Sequence, residues 1–412
     1  MVGGGMRFLR LHSSSASMST FAPHSAVDKA GYGCMPGDQL PEPMQIVFSN
    51  YDSPPNPYYG GGGAVAIHEV AKRLAGRNSV TVVTGRFRKV KDALREGVNY
   101  KHLGLAAAGP KLGQLIYQFL LPWRLWREHF DIWVESLTPP FSTACLPLFT
   151  RKPVVALTQV LAGKAMARKY KLPFAVVERT GLRCYRYGIA LSEYLKGELL
   201  GANPNMQVRV IPNGIAHEQI VKPIHKEETH ILFLGRIDRE QKGLDLLLDA
   251  LGTLGDRLAV PVVIAGSGAS DEEAFVASRI RELGLSRRVK AVGRVAGAQK
   301  EELLSKALFL VMPSRFEASP LVLAEAFCYE LPVVMFAIPE LLELPDDCCV
   351  KVPPFNCQAL GSAIKALVED SPRRHAMGLA AKQFARGFDW DDLAARYEKF
   401  LGQIVLDPTY RT

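Results

Sequence analysis

Short apolar runs separated by helical stripes recur along the chain and predict an α/β fold. In the first half the runs Gln45–Ser49, Val80–Thr84, Ile132–Val134, Val154–Leu157, Ile189–Leu191 and Val208–Ile211 read as buried strands. In the second half Ile231–Leu234, Val262–Ala265, Val289–Val292, Leu308–Met312 and Pro332–Phe336 do the same. Amphipathic segments lie between them. The spacing predicts a helix over Ala64–Leu74, with Ile67, Val70, Ala71 and Leu74 inward and His68, Glu69, Lys72 and Arg73 outward, so His68 is expected on the surface. Leu244, Leu247, Leu248 and Leu251 form a second stripe. Strands alternating with helices imply parallel sheets covered on both faces and joined by right-handed crossovers.

Interruptions in this pattern divide the chain. Pro212-Asn213-Gly214 is turn chemistry at a strand end, and the polar segment His217–His230 follows it. The expected organisation is a Rossmann-like domain over 44–214, a second over 215–388, and a C-terminal helix over 389–412. In that last segment Leu393, Tyr397, Phe400 and Leu401 make an apolar face that would pack back on the first domain. Residues 1–43 are rich in Ser, Gly and Pro, lack periodicity and hold no acid before Asp28, so they read as a disordered or mis-assigned extension, with a faint likeness to a targeting segment. A length of 412 residues with 48% hydrophobic content suits two or three cores.

Charge and cysteines narrow the function classes. The net charge of +9 is dispersed among 41 acids, which suits anionic partners such as nucleotide diphosphates or phospholipid surfaces. Nucleic acid ranks last, because no recognition motif accompanies the charge. The seven cysteines, Cys34, Cys145, Cys184, Cys328, Cys348, Cys349 and Cys357, show neither a disulfide framework nor zinc-ligand spacing. No apolar run is long enough to cross a bilayer as a helix. The expected location is the cytoplasm, with a place at the inner face of the membrane left open. Leu115–Phe130 gathers Tyr117, Phe119, Trp123 and Trp126 beside Arg124 and Arg127, and reads first as aromatic core packing and second as a membrane interface.

The candidate chemistry sits at strand ends. Leu308–Met312 is followed by a loop holding Glu317 and by a helix opening at Pro320, which places Glu325 about one turn in, so both carboxylates can face one crevice at the carboxyl edge of the second sheet. Gly235-Arg236-Ile237-Asp238 ends an earlier strand, with Lys242-Gly243 just beyond; two cations beside a helix start suit a diphosphate. Gly266 and Gly268 close the next strand with room for a close ligand, and Arg294 and Val295 follow the one after, where main-chain groups could meet a flat base. Gly60–Gly63 precede the first helix, where missing side chains let an anion approach the backbone. Gly61-Gly62-Gly63-Ala64-Val65-Ala66 also satisfies a dinucleotide pattern, but ten residues including Pro54, Pro55 and Pro57 separate it from its strand. No acidic cluster recommends a metal.

These residues together resemble the retaining glycosyltransferases of family 4, with the GT-B fold, over Met44 to about Leu401. The carriers of the resemblance are Glu317 with Glu325, which look like the E-x7-E motif, Gly62-Gly63, Gly235-Arg236 with Lys242-Gly243, and Pro212-Asn213-Gly214. The resemblance implies that Arg236 and Lys242 bind a nucleotide diphosphate, Glu325 the ribose and Glu317 the donor sugar. It also implies that Ser319 and Leu321 are candidate amide donors, that Val322 belongs to the donor site, and that Gly62 and Gly63 approach from the opposite domain. It further implies a glycan, lipid-linked or small-molecule acceptor, a role in cell-surface polysaccharide synthesis, and no cofactor beyond the nucleotide sugar. Two departures stand out: Thr158-Gln159 replaces a histidine common in the family, and Ala318-Ser319-Pro320 replaces glycines. A sugar-nucleotide epimerase, a phosphorylase, or a binding protein without turnover would share the same fold.

Overall fold

The computed structural model describes residues 42–56, 61–137, 141–222, 224, 227–317 and 319–410. The disorder expected of the N-terminal extension falls on 1–41, outside those residues, as does Gly60 of the glycine run. The first half contains β1 (Gln45–Ser49), α1 (Gly62–Leu74), β2 (Ser79–Gly85), β3 (Ala93–Arg95), β4 (Val98–Leu103), α2 (Gly109–Leu125) and β5 (Ile132–Leu137). It continues with β6 (Val154–Thr158), α3 (Gly163–Tyr170), α4 (Phe174–Leu182), β7 (Tyr187–Ala190), α5 (Glu193–Ala202) and β8 (Gln207–Val210). These strands form one sheet in the order β3-β4-β2-β1-β5-β6-β7-β8.

Every pairing in that sheet is parallel except the β3–β4 hairpin. The hairpin turns through Glu96 and Gly97, both at positive φ, the backbone that a tight two-residue connection needs. Its strands were not expected from the apolar pattern, because β3 is exposed along its length and β4 alternates buried with open positions.

The second half contains α6 (His217–Val221), β9 (His230–Leu234), α7 (Arg239–Lys242), α8 (Leu244–Leu254), β10 (Val262–Ala265), α9 (Ser270–Glu282), β11 (Val289–Gly293) and α10 (Gly297–Ser305). It ends with β12 (Ala307–Met312), α11 (Leu321–Cys328), β13 (Val333–Phe336), β14 (Cys349–Val352), α12 (Cys357–Glu369), α13 (Ser371–Ala385) and α14 (Trp390–Val405). The second sheet, ordered β11-β10-β9-β12-β13-β14, is parallel throughout. Each sheet has its own apolar core, and α14 belongs to the first: Trp390, Leu393, Tyr397, Phe400 and Leu401 are buried with Ile46, Val70 and Leu74. Ile215 and Asp389 bridge where the chain passes between the halves, with Ile215 N donating to Phe388 O at 2.7 Å and Trp390 N to Ile215 O at 3.1 Å.

Strand order creates two switch points. The chain leaves β1 toward β2 on one side and returns to build β5 to β8 on the other; in the second sheet it leaves β9 toward β10 and β11, then returns to place β12 on the opposite side of β9. Loops diverge there, and open parallel sheets bind ligands in the resulting crevice.

Side-chain placement departs from expectation twice. His68 is largely buried, bonded through Nδ1 to the Tyr100 hydroxyl at 2.8 Å and through Nε2 to Glu96 at 2.7 Å, so it ties α1 to the hairpin. The aromatic stretch splits by helical period: Tyr117, Leu121, Leu125 and Phe130 enter the core, whereas Phe119, Trp123 and Trp126 face outward.

Beside the first switch point, Glu135 is buried within β5. Its Oε1 accepts from Ala144 N at 2.6 Å and its Oε2 from the Tyr185 hydroxyl at 2.5 Å. Burial pushes this carboxyl from 4.5 up to about 7, against the pull of those bonds. The folded chain therefore holds a proton that the unfolded chain releases near pH 4.5, a stabilisation complete below that pH and lost as pH rises through about 7. Its size is on the order of 3 kcal/mol. The melting temperature of the wild type should fall between about pH 5 and pH 8, and Glu135→Gln should remove that component of the slope. Parallel melting curves for the two proteins would assign the slope to other groups.

Candidate functional site

The second switch point brings Arg236, Lys242 and Glu317 to one edge. Arg236 follows β9, Lys242 ends the short α7, and Glu317 lies in the loop after β12, the strand that pairs with β9. Asp238 caps α7 by accepting from Gln241 N at 2.8 Å, and Gly243 leaves it at φ 65°. A Cβ on Gly243 would lie 2.0 Å from Pro313 O, so this left-handed position lets the β9 and β12 loops touch. That approach allows Lys242 Nζ to donate to Glu317 Oε1 at 2.5 Å. The Ser314 hydroxyl donates to the same oxygen at 2.6 Å, and the Glu317 side chain is only 5% exposed.

A second clamp fixes the loop from below. Arg315 forks onto Asp245 with bonds of 2.8 and 2.6 Å, donates to Arg239 O, and its own N–H reaches Gln241 O at 2.8 Å. Burial works against the charge on Asp245, but the bonds and charge of Arg315 hold its carboxyl below the usual range. Arg236, by contrast, is exposed, its guanidinium resting on Gln241 Oε1 at 2.5 Å and 3.4 Å from Asp238. It can turn to an incoming anion without breaking a buried pair.

Glu325 sits in α11 and is paired with Lys300 Nζ at 2.9 Å, a partner on α10 that the sequence pattern did not reveal. Gly266 and Gly268 have a packing reason: a Cβ on either would lie 1.7 Å from Gly235 O or 2.2 Å from Ile237 O, respectively. The β9 loop therefore packs directly against both glycines. Arg294 is exposed and Val295 half-buried beyond Gly293, at the sheet's far edge strand β11.

The first half meets this edge through its own switch point. α1 begins at Gly62 rather than Ala64, and Asp52, in the loop after β1, accepts from Gly61 N at 2.8 Å. A Cβ on Gly62 would lie 3.3 Å from Leu321 at the start of α11, and one on Gly63 3.4 Å from the Gln159 side chain. Asn213, buried in the connection between the halves, donates through N to Ser319 Oγ at 3.2 Å and through Nδ2 to Ser319 O at 3.0 Å. Pro320 caps α11, leaving Leu321 and Val322 in its first turn, where amides lack partners within the helix. Ala318 lies outside the described residues. Sequence reasoning missed Ser314, Lys300 and the Arg315–Asp245 clamp; Ser314 and Arg315 stood beside Glu317, but only the fold shows what they touch.

Two family models match the chain: "Glycosyltransferase Family 4" over residues 60–219 and "Glycosyl transferases group 1" over 216–384. Among curated proteins, the chain is 31% identical over 190 residues to the D-inositol 3-phosphate glycosyltransferase of Corynebacterium aurimucosum, covering 44% of each. The chain spans about half the length of the curated relatives it matches. Among solved structures, the sucrose-phosphate synthase of Thermosynechococcus elongatus superposes with a TM-score of 0.71 at 20% identity, over 87% of this chain and 99% of that one. Anabaena HepE in complex with UDP gives 0.68 at 18%, over 87% and 100%. At these identities the structural likeness establishes the fold. With both halves matched and the architecture shared, the chain belongs to glycosyltransferase family 4 and has the GT-B fold.

Proposed function

We propose that this protein is a metal-independent, retaining glycosyltransferase that moves a hexose-type sugar from a nucleotide-diphosphate sugar to a glycan, lipid-linked or small-molecule acceptor. The observation that carries the reading is the convergence of Arg236, Lys242 and Glu317 at the β9/β12 switch point, with the glycine-led start of α1 approaching Leu321 of α11 from the first half. Two cations suit a diphosphate, and a carboxylate accepts from sugar hydroxyls. The UDP held by HepE supports a nucleoside diphosphate as the donor's leaving group. The second half, about 215–388, would hold the donor and the first, about 44–214, the acceptor, with Gly214 near the hinge. Glu325 would exchange Lys300 for the ribose hydroxyls, and the α11 amides at Leu321 and Val322 with Ser319 would face the leaving group or sugar.

In this reading the bond between the anomeric carbon and the phosphate oxygen breaks as the acceptor oxygen attacks from the same face. The acceptor proton passes to the departing diphosphate. Arg236 and Lys242 stabilise the negative charge that grows on that diphosphate, and Glu317 positions the sugar. The positive charge that a metal would otherwise supply comes from these two side chains.

Titration with UDP-, GDP- and ADP-sugars tests the donor class; binding of none of them contradicts the proposal. Arg236→Ala should weaken diphosphate binding by about 1.5–3 kcal/mol, the loss of one charge-assisted bond. Glu317→Ala should lower turnover far more than donor affinity. Because Lys242 and Glu317 touch, their single effects should not add in the double variant. Additive behaviour of the Lys242/Glu317 cycle would place the two in separate sites.

A further inference from the structure

α2 is apolar on two faces. One face enters the first core; the other carries Leu112, Phe119, Trp123 and Trp126 at helical spacing on the outside, with Phe119 74% and Trp126 66% exposed. An outward stripe of large side chains on a charged protein calls for a partner.

The stripe continues across neighbouring elements. Phe119 stacks edge-on to Phe141 at 6.3 Å, Phe141 meets Phe174 at 5.4 Å, and Phe174 meets Tyr170 at 6.1 Å, which leads to the α3–α4 hairpin. That hairpin exposes Tyr170, Leu172, Val176 and Val177. At the other end Trp126 packs on Phe149 at 6.2 Å, beside exposed Leu148.

The sequence that carries the stripe is basic, with Glu198 of α5 reaching Lys164 of α3 at 3.1 Å from outside it. From Val98 to Ala190 the sequence holds 13 Lys and Arg against four Asp and Glu, an excess equal to the +9 of the entire chain. None of the four acids is exposed: Glu135 and Glu178 are buried, Asp131 bonds Gln45 N, and Glu128 is paired with Arg124 and Lys101. Lys111, Arg127, Arg168, Lys171, Arg179 and Arg183 are all exposed. Arg127 lies 3.9 Å over the Trp123 ring, so the cation and the aromatic share one surface.

We propose that the outer face of α2 and the α3–α4 hairpin form a docking surface for an anionic phospholipid membrane. Aromatic and aliphatic side chains enter the headgroup boundary while the basic residues meet lipid phosphates. A second copy of this chain would bring like charge against like charge across the same face, which disfavours self-association there. The surface lies beside the carboxyl edge of the first sheet, since α3 starts just after β6 and Gln159, so a membrane-borne acceptor would reach the cleft from that side.

The test is co-sedimentation of the full chain with phosphatidylglycerol–phosphatidylcholine vesicles and with phosphatidylcholine vesicles alone. Binding should require the anionic lipid and weaken with salt. Each of Arg168→Ala, Lys171→Ala and Arg179→Ala should reduce partitioning about fivefold. Vesicles with brominated acyl chains should quench emission from Trp123 and Trp126, and the Phe119→Ser/Trp123→Ser/Trp126→Ser variant should lose that quenching, because the remaining Trp133 and Trp390 are buried. Melting temperature reports whether each variant is folded, and nucleotide-sugar titration follows the donor site separately, so failure of the transferase reading leaves the vesicle result interpretable. No pelleting, equal pelleting with neutral vesicles, unchanged binding in the folded variants, or self-association through α2 in light scattering would each overturn the proposal.

Discussion

The ammonium of Lys242 and the carboxylate of Glu317 meet at 2.5 Å at the carboxyl edge of the second sheet, their side chains 17% and 5% exposed. Removing Lys242 would leave the nearly buried Glu317 carboxylate without its countercharge, which is destabilising. Much of the second half exists to make the pair possible. β12 must return beside β9, Gly243 must take a backbone that brings its chain against Pro313 O, and the Glu317 loop must be held by Ser314 and by the Arg315–Asp245 fork. A ligand anion arriving at this edge would meet one committed cation and, in Arg236, one exposed cation held only by surface partners.

The two switch points give the cleft its polarity. At the first, a glycine-led helix offers backbone with no side chain in the way; at the second, charged side chains gather. Gly62 against Leu321 and Asn213 against Ser319 join the two edges, so the start of α11 is shared by both halves. The connections between the halves run together at Ile215 and Asp389, which is where a change in the angle between sheets would be absorbed.

Much of this was legible in the sequence, for physical reasons. Parallel strands buried on both faces are continuous apolar runs, so β1, β9, β10 and β12 stand out, and loops at their carboxyl ends can be read for charge. The order of strands leaves no such mark. Nor do ion pairs between segments far apart in the chain, which is why Lys242–Glu317, at a separation of 75 residues, and Lys300–Glu325 emerged only in three dimensions. The pattern also failed where a segment has two apolar faces: α2 sends Tyr117 and Leu121 inward and Phe119, Trp123 and Trp126 outward, and composition alone cannot divide them. Gly266 and Gly268 also have a packing role that the pattern did not reveal, since a glycine that admits a ligand and one that admits a neighbouring loop look the same in sequence.

If Lys242 and Glu317 hold the donor as proposed, the sugar leaves its diphosphate at that edge and keeps its anomeric configuration. Proton NMR of the product formed from an α-linked nucleotide sugar tests this, because the anomeric signal of the new glycosidic bond reports its configuration. The expected result is an α-linked product that disappears in Glu317→Ala. A β-linked product, or an α-linked one formed equally well without Glu317, would contradict it.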